Sequence, residues 1–485
     1  MKFERTIKKA LKKIGSYYPS PRISSEVLDC SLPMTFDQYN MCSYHCLYCF
    51  AHVFKKLNPV VHSRGKFKVR SVAVHTLYPL FRKGTHIKQK ESSTVLWKVF
   101  KPLKKSFFKN KFVLHWGGLA DPFCYLEKKH NVGAEIIELA AEEDYPVFFS
   151  TKGDIRKFDR CMKIFKEASK QGNFAFQFSM ITSDENIAKE IERGVPSPKD
   201  RIKAMEKLSN LGYYCVLRFR PFIIGISDKN DSYMKLLSMA RKAGARAVSI
   251  EFYALNFKDR RNKDTWQDKL AEAMKHHAGI DDLYDYYDKL SPSHRGTYKR
   301  LNRLVKERYI RKVYEYCLEH DMIFACSDPD FKELGMVGSC CGLPDRETAE
   351  RLGIKINQNL FNWSKYQMTN AIIELRKKFW RGEDARIEFE DVFSPEITKE
   401  NKYLTFLDDS ILTNNMPAII GEKSALRRGY TLKDYLLNKW NTQYPYKYFD
   451  GKLKPEYVKD GNIVYSYQPS DYEYRWIEEG IDLSV

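Results

Sequence analysis

Cys42, Cys46 and Cys49 lie within eight residues of one another in MCSYHCLYCF, with C-x3-C-x2-C spacing. Three thiolates on one loop can hold three irons of a cubane [4Fe–4S] cluster and leave the fourth iron open. Zinc is the alternative, but it takes four ligands. His45 is the only local fourth donor, and it sits inside the tight loop, where closing on the same ion is awkward. The chain has eleven cysteines, an odd number, and its N-terminus lacks an apolar signal core. Both features argue against a disulfide framework.

A second set, Cys326, Cys340 and Cys341, stands in FACSDPDFKELGMVGSCCGLPD, with Cys317, Asp328 and Asp330 nearby. An auxiliary iron–sulfur cluster, zinc, buried thiols and a redox or hydrogen-donor pair are the alternatives there. Adjacent cysteines seldom both bind one iron, so one of the pair can be a spectator.

Residues like these need a frame. Met34–Asn40 reads as a strand leading into the cysteine loop, and Leu47–Lys56 as the helix after it. Further strands are expected at Phe112–Gly118, Pro146–Lys152, Phe174–Thr182, Tyr214–Ile223 and Ala247–Tyr253. Helices are expected between them at Asn131–Glu143, Ile155–Lys170, Ser197–Leu211 and Ser232–Ala243. Strands alternating with helices at this spacing mean β/α units and a parallel sheet. Functional groups then belong at the C-terminal strand ends. The cysteine loop follows the first strand, as that rule requires. Gly117 and Gly118 end the second strand, where a backbone without Cβ atoms can approach a ligand closely. Ser150, Thr151 and Lys152 end the third, Ser179 the fourth and Glu251 the sixth. Arg218 and Arg220 share one face of the fifth, and a buried arginine there needs an anionic partner.

The cysteine spacing, with Tyr48 just before the last thiol, resembles the radical S-adenosylmethionine (radical SAM) superfamily. The six β/α units match the partial (β/α)6 TIM-type barrel of those enzymes. The resemblance implies that the open iron binds the amino and carboxylate groups of SAM. Reduction of the cluster then cleaves the sulfonium and releases a 5′-deoxyadenosyl radical that takes a hydrogen atom from the substrate. It also implies cofactor contacts from Tyr48, Gly117, Gly118, Ser150, Lys152, Ser179 and Arg218. An electron donor such as flavodoxin or ferredoxin is implied as well.

The blocks GGLADPFCYLE (117–127), FFSTKGD (148–154), ERGVPSPKDRIKAMEKLSNLGY (192–213) and RFRPFIIGISD (218–228) resemble the spore photoproduct lyase / DNA-repair-photolyase-like branch. The likeness covers roughly residues 34 to 257. The acid that usually follows the glycines is replaced by Leu119, and Asp121 comes three positions after Gly118. Asp121 is a candidate amine partner. Cys124 is a candidate hydrogen donor, although the branch's donor cysteine lies before the Asp. The alternative for Cys124 is a small buried hydrophobe.

Charge adds a partner. The formal net charge is +20. Between Asn58 and Lys111 stand fourteen Lys/Arg and one acid, Glu91. Phe67, Tyr78, Phe81, Trp97, Phe100, Phe107 and Phe108 interleave with them. This pattern suits a folded basic surface for nucleic acid, near the substrate rim, against the alternative of a solvated face. Tyr430–Trp476 holds thirteen aromatics in 47 residues, expected to pack as an arm over the body. No apolar run is long enough for a membrane span, and the expected location is the cytoplasm.

The sequence thus divides into an N-terminal helical segment (1–33) and a barrel (34–257) with a basic insertion (58–111). A helical extension with the second cysteine set (258–359) and an aromatic-rich region (360–485) follow. The expected function is a radical SAM enzyme, lyase- or transferase-like, acting on DNA lesions or nucleic-acid bases. The rivals are action on a peptide or small metabolite, and a non-catalytic metal-containing nucleic-acid-binding protein.

Overall fold

The computed structural model describes residues 15–17, 21–23, 32, 34–51, 69–83, 104–105, 107–109, 111–256, 265–291, 298–357, 360, 368–388, 452–459 and 462–485. Most of the expected N-terminal helical segment (1–33), the part of the expected helix Leu47–Lys56 after Ala51, most of the basic insertion and most of the aromatic-rich region lie outside these residues.

The frame is one eight-stranded sheet. Its strands are β1 (Arg22–Ile23), β2 (Met34–Phe36), β3 (Leu114–Trp116) and β4 (Val147–Thr151). β5 (Phe174–Ser179), β6 (Tyr214–Phe222), β7 (Ala245–Phe252) and β8 (Ile323–Cys326) follow. Spatial order is sequence order, and β2 to β8 are all parallel; β1 adds an antiparallel edge. Sequential parallel order is the order of a β/α barrel. The first and last strands do not pair, so the sheet is an open, partial barrel.

Two expectations change here. The parallel run has seven strands, because β8 pairs with β7. The strand carrying Cys326 therefore belongs to the same sheet as the cysteine loop, beyond the boundary placed at 257. Near the N-terminus, where a helical segment was expected, Ser16–Tyr17 and Arg22–Ile23 are short strands.

The helical face of the sheet is a packed aromatic layer. Phe149 stacks on Phe176 at 5.1 Å, and Phe165, from the helix Asp159–Ala168, stands edge-on to Phe176 at 5.1 Å. Both strand faces of β4 and β5 are buried, as expected for parallel strands covered by crossover helices. The other face is polar. Register places Thr35, His115 and Phe148 in line, then Ser150 with Gln177, and Ser179 with Arg218 and Ser249. Side chains alternate along a strand, so these residues share one face.

Candidate active site

The cysteine loop leaves β2 at the C-terminal rim. Cys46 is buried, and Cys42 and Cys49 are partly buried. The three sulfurs do not all lie within 4.8 Å of one another. The loop is gripped by the segment after the helix Glu185–Ile191. Leu47 N donates to the Ile191 carbonyl at 3.0 Å, and Gly194 N donates to the Tyr44 carbonyl at 3.0 Å. Cys46 and Glu192 form an isolated antiparallel bridge. A Cβ on Gly194 would come within 2.8 Å of the Ser43 carbonyl, so the close approach requires glycine.

Beneath the loop is an ion pair that the sequence did not single out. Arg201 Nη2 donates to Glu192 Oε2 at 2.6 Å, and Arg201 Nη1 donates to the Ser179 carbonyl at 2.7 Å. Tyr48 donates its hydroxyl to the other Glu192 oxygen, and the Lys152 ammonium lies 5.6 Å from the Tyr48 ring centroid. Tyr48 thus ties the loop to the body through its hydroxyl, with a cation already over its ring.

The loop after β3 is similarly fixed. Asp37, at the end of β2, accepts hydrogen bonds from Leu119 N and Ala120 N, both at 2.8 Å, and pairs with Arg22. Gln38 accepts from Trp116 Nε1 at 2.7 Å and donates to the Pro122 carbonyl at 2.7 Å. Gly117 has φ +108°, and a Cβ there would collide with the Ser150 carbonyl oxygen. A Cβ on Gly118 would press on Thr35. Their small size admits these neighbours of the protein's own. Asp121 differs from expectation. Its carboxylate accepts from Phe123 N at 2.9 Å, Thr151 Oγ1 at 2.8 Å and Lys152 N at 2.6 Å. It ties this loop to the end of β4, and three donors from the chain already occupy it. Cys124 has no exposed surface. Its interaction with the Cys42 thiol raises Cys42 while drawing Cys124 down to about 7.

Across the polar face runs a chain of side chains. Ser150 bonds to both His115 Nε2 and Gln177 Nε2. Gln177 Oε1 and Arg218 Nε find no hydrogen-bond partner among the described residues. Burial, then Arg218 and Arg220, push His115 down to about 3, so the imidazole is neutral. Burial, then Arg220, bring Arg218 down to about 10. Arg220 is held by Glu251, donating from Nε at 2.9 Å and Nη2 at 2.6 Å. Its Nη1 points to Cys341 Sγ at 3.7 Å.

That contact separates the second cysteine set. Ala325 registers with Ser249, on the polar face, whereas Cys326 registers with Ile250 on the helical face. The Cys340–Cys341 turn covers the polar face: Ser249 Oγ donates to the Cys340 carbonyl at 2.7 Å, and Gly342 packs on Ala247. The two sulfurs of the vicinal pair are 4.0 Å apart. Cys326 instead lies beside Asp328, whose carboxylate takes the buried Lys306 ammonium at 2.6 Å. Cys326 and the pair therefore belong to opposite sides of β8 and are not one ligand set.

The described part of the basic window has two addresses: residues 70–72 pair with residues 38–40 beside the cysteine loop, whereas residues 81–82 and 107–111 lie elsewhere. Phe81, Phe107 and Phe108 are core: Phe81 packs on Tyr145 at 4.7 Å and Phe108 on Tyr145 at 5.5 Å. Lys111 Nζ donates to the Glu143 and Asp144 carbonyls, and Arg82 pairs with Glu143 at 3.2 Å. These partners precede β4, so residues 81 and 107–111 sit toward the N-terminal strand ends, opposite the cysteine loop. Lys104 is buried, and burial, then Arg22, bring its ammonium down to about 8. Lys105 and Lys109 are exposed. Arg70 N donates to Asn40 Oδ1 at 2.9 Å and Lys83 ends the helix Tyr78–Lys83, while the other seven cations of the window, among them Lys101, lie outside the described residues. Among the described residues no helix is long and apolar enough to cross a membrane.

No protein-family model matches the chain. Proteins of Mycobacterium tuberculosis and Mycobacterium bovis described as uncharacterized are 22% identical over 219 residues, 44% of this chain. The match spans 57% of their length, so the chain covers little more than half of these relatives. Spore photoproduct lyase complexed with dinucleoside spore photoproduct superposes with a TM-score of 0.43 at 13% identity, over 64% of this chain and 80% of that one. Streptococcus suis SuiB bound to S-adenosylmethionine gives 0.33 at 12% identity, over 67% and 54%. Spore photoproduct lyase is thus among the proteins to which this chain is similar.

Proposed function

We propose that the protein is a radical SAM enzyme that builds a [4Fe–4S] cluster on Cys42, Cys46 and Cys49 and acts on nucleic acid. The observation that carries the reading is the placement of this triad. It leaves the first parallel strand at the C-terminal rim, over a buried ion pair and beside a polar sheet face. The donor set fits a cubane in its chemistry: three free thiols on one loop with C-x3-C-x2-C spacing. Burial raises the Cys46 thiol, with the Lys152 charge opposing, so metal binding must displace its proton.

Lys152, Ser150, Ser179 and Arg218, with the backbone at Gly117 and Gly118, are the groups that would hold SAM. When bound, the cluster and SAM supply a 5′-deoxyadenosyl radical for hydrogen-atom abstraction. The chain's residues bind, orient and exclude water. Arg218, with an unsatisfied Nε on the polar face, suits an anionic group of cofactor or substrate. The net charge of +20 supports a polyanionic substrate, with lesion repair or base modification as the reaction class. A base in a duplex would have to be flipped out to reach the radical. The position of Arg82 and Lys111, away from the rim, favours the second reading, a peptide or small metabolite.

The test is anaerobic reconstitution and reduction with SAM, alone and with DNA, RNA, nucleotides or peptide pools. 5′-Deoxyadenosine and mass changes in the added substrate are followed. No brown cluster and no 5′-deoxyadenosine would end the enzyme reading. Turnover only with peptide would replace nucleic acid by the second.

A further inference from the structure

A second metal-type donor set lies away from the cysteine loop. Glu190, on the helix Glu185–Ile191, meets His276 and His277, in the last turn of the helix Thr265–Ala278. Their ligand atoms all lie within 4.8 Å of one another. His277 Nε2 is 2.8 Å, and His276 Nδ1 4.0 Å, from the same oxygen, Glu190 Oε2.

The hydrogen bond between His277 and Glu190 accounts for one ring and leaves the second beside it. Adjacent helical residues point about 100° apart, yet these two rings approach to 4.3 Å between centroids. If both were protonated, two positive rings would share one carboxylate. If both are neutral, His277 can donate from Nε2 to Glu190 Oε2, and the His276 ring at 4.0 Å makes no hydrogen bond to that oxygen. A divalent cation can take one donor atom from each of the three residues together. Two imidazoles and one carboxylate form a zinc-type set with room left for water. The helix C-terminus adds negative potential. The local backbone leaves the rings available for this role. Gly279, at φ +67°, closes the helix by donating to the Lys275 carbonyl at 3.1 Å. Lys229 and Lys275 are turned to the His277 carbonyl and to Asp281. The site is open on one side, with the His276 side chain 73% exposed and that of His277 12%.

We propose that Glu190, His276 and His277 form a binding site for a zinc-class divalent cation. The bound ion staples the helix Thr265–Ala278 to the helix that leads into the Glu192–Gly194 turn under the cysteine loop. The inference stands apart from the proposed reaction, because none of the three residues belongs to the cysteine loop or the polar face.

The experiment uses full-length protein stripped with chelator and titrated anaerobically with zinc chloride by calorimetry. Cobalt chloride serves as the optical probe. The parent is the Cys42→Ser, Cys46→Ser, Cys49→Ser variant, so that the loop thiols cannot contribute. About one zinc is expected at this site, as for a three-ligand zinc centre. His276→Asn, His277→Asn and Glu190→Gln should each weaken it by more than about tenfold, the least that losing even an outer-shell partner costs. His276 and Glu190 are exposed enough for their variants to fold if His277→Asn does not. Equal zinc and cobalt binding by parent and variants, or none by the parent, overturns the site. Failure of cluster assembly in the wild type would leave this result untouched and count only against the proposed function.

Discussion

Glu192 and Arg201 form an ion pair at 2.6 Å with side chains 1% and 0% exposed, directly beneath the loop that carries Cys46. Charges taken this far out of water are held only by good geometry and further hydrogen bonds. Tyr48 and the Ser179 carbonyl supply those bonds. The pair links the first strand's loop to the ends of the fourth unit, so it fixes the loop where a cluster would have to be held. Removing one partner strands the other charge. Arg201→Ala should therefore cost about 3–5 kcal/mol, read as a lower urea midpoint. Arg201→Lys keeps the charge and should lose less. Equal midpoints for wild type and Arg201→Ala would mean that the pair is not buried as described.

The opposite-face placement of Cys326 and the Cys340–Cys341 turn gives a contrast within one measurement. Alanine at Cys42, Cys46 or Cys49 should abolish the reconstituted cluster, seen as iron per chain and visible absorption. Alanine at Cys326, Cys340 or Cys341 should leave that iron in place. Cys340 is partly exposed and should react with an alkylating reagent well before Cys326 in the folded protein. Iron loss on changing Cys326 would show that the two sulfur sets communicate.

Much of the frame was legible in the sequence, for physical reasons. Runs such as Val147–Thr151 and Phe174–Ser179 are short and mostly apolar and are buried on both faces, as strands inside a parallel sheet are. The cysteine loop followed from its position after the first of these strands. What the sequence hid depends on contacts distant along the chain. Glu192 stands 144 residues from Tyr48. Nothing local marks it, although the spacing of two polar residues nine apart across a Pro-Ser-Pro turn, in a block already recognised, was the available signal. Asp37 and Gln38 read as the tail of a strand, yet they organise a loop about 80 residues on. Cys326 and Cys341 were grouped because sequence closeness does not reveal that strand alternation sends one sulfur to each side of β8.

The basic window calls for separate tests of neighbouring lysines. Lys104 is buried, so Lys104→Ala should act on stability and leave any nucleic-acid affinity unchanged. Lys105 and Lys109 are exposed. If the window binds phosphates, Lys105→Ala with Lys109→Ala should weaken binding and reduce the slope of log affinity against log salt by about 2. An unchanged slope would remove this segment from the interface, and the rim would then have to carry it.

His115 offers a prediction in pH. Burial first, then the charges of Arg218 and Arg220, take its imidazole from an ordinary value near 6.5 down to about 3. Between those values the unfolded chain binds the proton and the folded one does not. Stability should therefore rise with pH across about 3 to 6.5, by the linkage between proton uptake and unfolding. It should be lost progressively on acidification through the same window. His115→Gln can still bond to Ser150 but cannot titrate, so its urea midpoints should fall less steeply with acid there. The difference in slope should approach one proton in the middle of the window. Identical slopes would mean that His115 reaches solvent and takes up its proton in the folded state. The neutral Ser150–His115–Gln177 chain beside Arg218 would then not persist in acid.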